Sequence, residues 1–237
     1  MANSSVIDIL YQCDSFVLVN KPIGLGMHQE GETPGLVTVL SRQLGDTPLF
    51  LVHRLDKVTS GLLLLAKDAD SAAQLSGLFA RREVEKYYLA LIDRKPGKKQ
   101  GAIIGDMQKA RRGQWKLTGS RQNPAVSQFF SRSTGDRQRL VLLKPATGKT
   151  HQLRVALKSL GSPIIGDTLY GGSSADRTYL HAFALRFRHR QQDFAFLCRP
   201  SQGQLYETTG CQHALQSFTA PWDQAWPELK SGRQADE

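Results

Sequence analysis

Apolar residues come along this chain in short runs separated by turn formers, a rhythm of strands more than of helices. Residues 6–11 and 16–19 are two such runs on either side of Gln12-Cys13-Asp14-Ser15, which predicts a hairpin. Asn20-Lys21-Pro22-Ile23-Gly24 then stops the strand, because Pro and Gly force a loop. Residues 49–52 and 62–66 bracket the polar stretch 53–60, suspending it as a loop between two buried segments, a usual place for reactive side chains. Helical spacing appears after Asp68. Ala72, Leu75, Leu78 and Phe79 share one face of a helix over about 69–82, with Asp68 as its N-cap. Residues 86–92 and 140–143 read as strands. Pro145-Ala146-Thr147-Gly148 breaks the second, and Thr150 is placed to cap a helix running to about Leu160. Leu153, Ala156, Leu157 and Leu160 would be its buried face, with Gly161 just past its end. Residues 179–187 and 194–197 are later strands. Together these predict one mixed α/β (α+β) domain over residues 1–220, on a mostly antiparallel sheet with flanking helices, then a polar tail over 221–237.

Charge changes the picture more than composition does. Thirty-one Lys and Arg against 21 Asp and Glu leave a net +10 in 237 residues, with a pI near 9.7. Such an excess favours a polyanionic partner, of which nucleic acid is the commonest. It is concentrated: residues 94–121 hold nine Lys or Arg and one acid, Asp106, so this stretch alone carries +8. Its several glycines and few large apolar residues predict an exposed excursion. Cys13, Cys198 and Cys211 are scattered and odd in number, so reduced thiols in a cytoplasmic protein are expected. The N-terminus lacks the basic start and apolar core of a signal peptide. The longest purely aliphatic run, residues 62–65, is far too short to span a bilayer, so no membrane association is expected.

Candidate chemistry narrows quickly. Gly148-Lys149-Thr150 at a strand-to-helix junction suggests a phosphate loop, but that motif needs a glycine five positions earlier, where Leu143 stands. The six histidines, at 28, 53, 151, 181, 189 and 213, include no HExxH and no metal-site spacing, so no metal is expected. His53-Arg54-Leu55-Asp56-Lys57 is more informative. A carboxylate between two cations is charged at neutral pH and, once oriented, can act as nucleophile or base; it can equally be a loop acid held in a salt bridge.

HRLDKVTSGLLLLAKD resembles the signature of RluA-type pseudouridine synthases, whose H-R-L-D pattern contains the catalytic aspartate. Asn20-Lys21-Pro22-Ile23-Gly24, with His28 after it, resembles the family's N-K-P-x-G motif, and Lys86-Tyr87-Tyr88-Leu89-Ala90 its K-x-Y-x-A strand. Residues 147–155, TGKTHQLRV, resemble its T-G-R-T-H-Q-I-R-V block. Residues 161–167 with Tyr170 resemble G-x-P-I-x-G-D-x-x-Y, and Leu180-His181-Ala182 also matches. The likeness covers about residues 7–187, in the family's order. Lys149 stands where the family usually has Arg, keeping charge without the bidentate fork, and Ala156 where it often has His. The S4-type RNA-binding domain found ahead of this pattern in some members is not expected, and residues between Tyr88 and Leu140 match no member closely enough to name a substrate.

The resemblance implies the pseudouridine synthase fold and an isomerase that turns a specific uridine of tRNA or 23S-type rRNA into pseudouridine; since this involves no redox change or group loss, no cofactor is expected, and the expected state is a monomer. It implies Asp56, Tyr88 and Arg154 as the catalytic set. Asp56 would attack ribose C1′, attack uracil C6 or remove the 2′ proton. Arg154 would pair with it. Tyr88 would pack on the uracil and assist proton transfer at C5. Arg54, His53, Leu153, Lys149 and His151 are the expected substrate contacts. Among these, Arg54 would fill the space left by the flipped base and Leu153 would line the pocket. The basic stretch and the cluster Arg186, Arg188 and Arg190 would grip phosphates, and Trp115 would stack on a base or pin the excursion. Asp68 and Asp167 carry no catalytic expectation. The competing readings are a non-catalytic RNA-binding protein or RNA chaperone on the same fold, disfavoured by the intact Asp56, Tyr88 and Arg154, and a metal-dependent nuclease or deaminase, which lacks ligands.

Overall fold

The computed structural model describes residues 6–135 and 137–229. The first two runs form the expected hairpin, β1 (Asp8–Gln12) and β2 (Phe16–Lys21), paired antiparallel. A helix that the sequence pattern did not predict follows, α1 (Leu36–Gln43). Its Gln43 side chain docks on the residue just before β1, accepting from the Ile7 amide and donating to the Ile7 carbonyl, both at 2.8 Å. The pair β3 (Phe50–Leu51) and β4 (Ser60–Ala66) brackets the polar loop as predicted. Every residue of β4 is buried, which is why it reads as unbroken Leu rather than alternation. Helix α2 (Ala69–Ala80) starts where Asp68 accepts from the Ser71 amide at 2.8 Å.

Strands β5 (Glu85–Ile92), β6 (Gln100–Lys109), β7 (Trp115–Leu117), β8 (Pro124–Gly135) and β9 (Gln138–Pro145) follow. The basic excursion is thus a ribbon, β6 with β7, and its nine Lys and Arg side chains are all exposed. Then come α3 (Gln152–Ser159), β10 (Leu180–His189), β11 (Gln192–Leu197) and the short helices α4 (Gln204–Glu207) and α5 (Thr209–Gln216). The sheet order is β1-β2-β4-β10-β5-β9-β8-β6-β7, with β11 on β10 and β3 on β4. All pairings are antiparallel except the short β4–β10 contact, His181 to Ser60 and Ala182 to Gly61. Gly61 sits there at φ 104 with the Ala182 backbone so close that a Cβ would lie 2.2 Å from its carbonyl oxygen.

Strand β10 joins two apolar cores. One lies around β2, β4, α1 and α2, with Phe16, Leu36, Leu63 and Leu75; the other around β5, β8, β9, α3 and α5, with Tyr87, Leu142, Leu157 and Leu215. Tyr88 packs against both. Among the described residues no helix is long and apolar enough to cross a membrane.

Three expectations need correction. The packed chain runs past residue 220: Trp222 stands edge-on to Tyr87, Trp226 meets Phe130 at 4.8 Å, and Gln128 donates to the Pro227 carbonyl. Apolar indoles inside a polar tail are the reason; residues 230–237 and 1–5 lie outside the described residues. Thr150 does not cap α3. His151 holds that place in left-handed backbone, φ 56, without a side-chain cap, since its imidazole is used elsewhere. Arg186, Arg188 and Arg190 each face a carboxylate, Glu85 at 2.8 Å, Asp193 at 3.8 Å and Asp70 at 2.9 Å. Each thus has an acidic neighbour of its own, and all three lie toward the far end of β10 from the cleft that Leu180 lines.

Candidate active site

The loop at residues 53–60 is held from beneath. Lys21, wholly buried at the end of β2, donates to the carbonyls of Pro22 (2.8 Å), Thr59 (2.8 Å) and Lys57 (3.3 Å), using all three ammonium protons. Burial pushes its pKa down to about 7; Arg177 adds to the fall and Asp56 opposes it. Lys21→Met leaves these carbonyls without their donor, so a loss of about 3 kcal/mol is expected, about 6–12 °C in Tm for a chain of this size. The sign with pH follows from linkage. With the folded value near 7 and the ordinary value at 10.5, the unfolded chain binds more protons between them, so the wild type gains stability as pH rises. Thermal melts at pH 7 and 9 should show the gap between wild type and Lys21→Met widening at the higher pH; a constant gap would argue against a buried titrating ammonium.

His53 opens this loop. Its ring stacks on Phe79, centroids 4.4 Å apart, and its Nε2 accepts the Leu64 N–H at 3.0 Å. Burial first, and Lys86 second, push it down to about 3, so the ring is neutral. It lines the cleft, yet only its Nδ1–H is free of this bond for the substrate contact expected of it. Arg54 is exposed, Leu55 is buried as the anchor, and Asp56 is half-buried.

The opposite wall comes from the turn between β9 and α3. Gln152, buried, accepts from the Thr147 hydroxyl (2.7 Å) and the Lys149 amide (3.0 Å). It donates to the Val126 carbonyl and the Ser127 hydroxyl, fixing the turn to β8. The same turn brings Lys149, whose ammonium donates to the Asn123 carbonyl, and His151 to the cleft. Helix α3 then presents Leu153 and Arg154.

Arg154 is the hub. Its Nε and Nη2 donate to Asp167 at 2.7 and 2.8 Å, and both side chains are buried. Its Nη1 reaches Asp56 at 3.6 Å, and its Cζ lies 5.0 Å from the centre of the Tyr170 ring. Burial alone would lower the Arg154 pKa, but the hydrogen bonds and charge of Asp167, then Asp56, hold it above its ordinary value. The expected Arg154–Asp56 pair is therefore the weaker half of a bridge. Asp167, given no role from sequence, supplies the bidentate grip. The signal that could have found it is an acid directly after the apolar Ile164-Ile165-Gly166, where burial without a cation would be costly.

Tyr88, on β5, closes the floor. Burial, and after it the nearby Asp56, raise its phenol well above its ordinary value, so it stands in the cleft as a neutral hydroxyl. Lys86, unassigned from sequence, also lines the cleft, its pKa lowered by burial and then by Arg82. The cavity measures about 540 Å³, room for a nucleotide base and sugar. An oriented carboxylate, a fixed guanidinium, a neutral phenol and an apolar Leu153 suit acid–base or nucleophilic work on a planar polar ring.

Residues 15–159 match the RNA pseudouridylate synthase family. An uncharacterized RNA pseudouridine synthase of Haemophilus influenzae is 52% identical over 202 residues, covering 84% of this chain and 90% of its own. A tRNA pseudouridine synthase C of Haemophilus ducreyi is 32% identical, over 77% of this chain and 86% of its own. In three dimensions the fold is similar to human RNA pseudouridylate synthase domain containing 1, with a TM-score of 0.72 and 28% identity over 84% of this chain and 86% of that one.

Proposed function

The chain belongs to the RNA pseudouridylate synthase family, in its RluA-type branch, and is an isomerase of RNA uridine; from this premise we propose that Asp56 is its catalytic carboxylate. One observation carries the assignment: Asp56 stands in the cleft within reach of a guanidinium that a buried second carboxylate holds in place. The isomerisation breaks the N1–C1′ bond and forms C5–C1′; C5 loses its proton and N1 gains one, so neither redox partner nor leaving group is needed. Asp56 starts the cleavage at C1′, at C6 or at the 2′ proton. Arg154 keeps it aimed, Leu153 packs on the base, and Tyr88, neutral at rest, donates rather than abstracts until the C5 proton must leave. The flipped uridine costs a few kcal/mol to extract, and exposed Arg54 is placed to fill the gap.

The substrate is a uridine in a structured RNA, tRNA or 23S-type rRNA. Pseudouridine mapping across total RNA from cells with and without the protein tests both at once. Loss of a site in either class supports the reading, and an unchanged map overturns it.

The ribbon of β6 and β7 is the phosphate-gripping element in this reading, because its cations are exposed and carry most of the net charge. Replacing Lys98, Lys99, Lys109, Arg111 and Arg112 with Gln should weaken binding and leave saturating single-turnover rates near wild type. The slope of log affinity against log salt should fall by up to about 0.9 per lost contact on duplex-like RNA and about 0.7 on single strands. An unchanged slope in a salt series would make the ribbon a solvated surface.

A further inference from the structure

His151 is the one non-glycine residue of the cleft turn with positive φ, and α3 gains no cap from it. Strained backbone is kept where the side chain has another task. Its Nδ1 lies 2.9 Å from the hydroxyl of Tyr170, which is buried, with the two rings edge to face. The same hydroxyl accepts the backbone N–H of Trp115 at 3.1 Å, across from β7 of the basic ribbon. A phenol has a single proton. With its oxygen already taking the Trp115 N–H, giving that proton to Nδ1 lets the hydroxyl both donate and accept, and this pairing leaves the imidazole hydrogen on Nε2. Nε2 makes no hydrogen bond to another described residue, while His151 lines the cleft.

We propose that Trp115, Tyr170 and His151 form a latch between the RNA-gripping ribbon and the catalytic cleft, which fixes His151 as the Nε2–H tautomer and makes it a neutral donor to an uncharged oxygen of the target nucleoside. This rests on the cleft being the uridine site and adds a residue role and a fixed proton to it. Five groups bear on the ring: Tyr170, the carboxylates of Asp56 and Asp167, and the guanidinium groups of Arg154 and Arg54. Burial is the largest influence and lowers the His151 pKa; Asp56 and Asp167 oppose it, and Arg154 and Arg54 reinforce it. The ring is therefore neutral at working pH. Tyr170 also lies against Arg154, so one side chain seats both cleft residues on the ribbon.

The test begins on the free protein, by long-range 1H–15N correlation of its histidines. Wild type should show His151 as the Nε2–H form with Nδ1 bonded. Tyr170→Phe, which keeps the ring over Arg154 but removes the hydroxyl proton, should admit the other tautomer. An Nδ1–H form in wild type, or a Tyr170→Phe tautomer ratio unchanged from wild type, overturns the latch. Neither outcome depends on turnover, so a failed uridine assignment stays distinguishable. On RNA, His151→Ala should raise KM about 5–10-fold with kcat nearly unchanged, and His151→Gln, which keeps an N–H near that position, should recover most of it. Target nucleotides carrying 2′-deoxyribose or 4-thiouracil separate the two oxygen sources: the substitution that costs wild type but not His151→Ala marks the partner. A KM unaffected by His151→Ala overturns the donor role.

Discussion

Asp56→Asn should reduce pseudouridine formation by roughly a thousandfold or more, which is about 4 kcal/mol of barrier, while RNA binding stays close to wild type. The amide keeps the size of the carboxylate and much of its local bonding, and Leu55 beside it stays buried, so the loop has no reason to move. What disappears is the charge that faces Nη1 of Arg154 and, in the proposed role, the electron pair that begins glycosidic cleavage. Because C5 loses its proton in the isomerisation, tritium release from RNA labelled at C5 of uracil measures the step directly under single-turnover conditions. A variant that keeps a tenth of the wild-type rate would remove Asp56 from the catalytic role. Asp68 caps a surface helix, and Asp68→Asn should leave the rate measurable.

Asp167→Asn should have the second-largest effect, and on two observables. Arg154 is buried, and losing its bidentate partner leaves a guanidinium with Asp56 as its remaining carboxylate, at 3.6 Å. Breaking one partner of such a buried pair costs about 3–5 kcal/mol of stability. Turnover should fall about a hundredfold as Arg154 swings from its aim, with KM changing much less. Stability and catalysis can be pulled apart. The double change Arg154→Met with Asp167→Leu replaces the pair with apolar bulk, and should recover much of the melting temperature without recovering the rate. Asp167→Asn with a wild-type kcat would make the pair a structural fixture only.

Sequence patterns showed the strands and the HRLD loop well, because the signals there are local. Asp68 announces α2, and the unbroken leucines of β4 announce a strand covered on both faces. The HRLD loop is legible for the same reason, with apolar runs on either side. Where the signal is not local, the reading fails. α1 buries only Leu36 and Leu40 and is held by Gln43 reaching back to Ile7, a contact invisible to periodicity. Strand β8 opens on a proline and is studded with serines, so nothing in its pattern marks twelve residues of sheet. Thr150 looks like a cap because capping is read from residue type, whereas His151 holds that place in left-handed backbone with its imidazole against Tyr170, nineteen positions on. Arg186, Arg188 and Arg190 read as a phosphate grip until the fold supplies Glu85, Asp193 and Asp70 as their neighbours. Asp167 is the costliest omission, since its importance lies in a neighbour thirteen residues earlier.

Strand β10 sits between β4 and β5, and its pairings are what join the sheet around Asp56 to the sheet around Tyr88. It is also synthesised after both of the strands that it joins. A nascent chain therefore carries the loop, the phenol and the guanidinium well before it carries the seam that sets them face to face. Both halves must wait, each with an unpaired edge, until residues 180–189 arrive. The order of synthesis thus keeps the cleft unassembled while the growing protein is still tethered to a particle made largely of RNA.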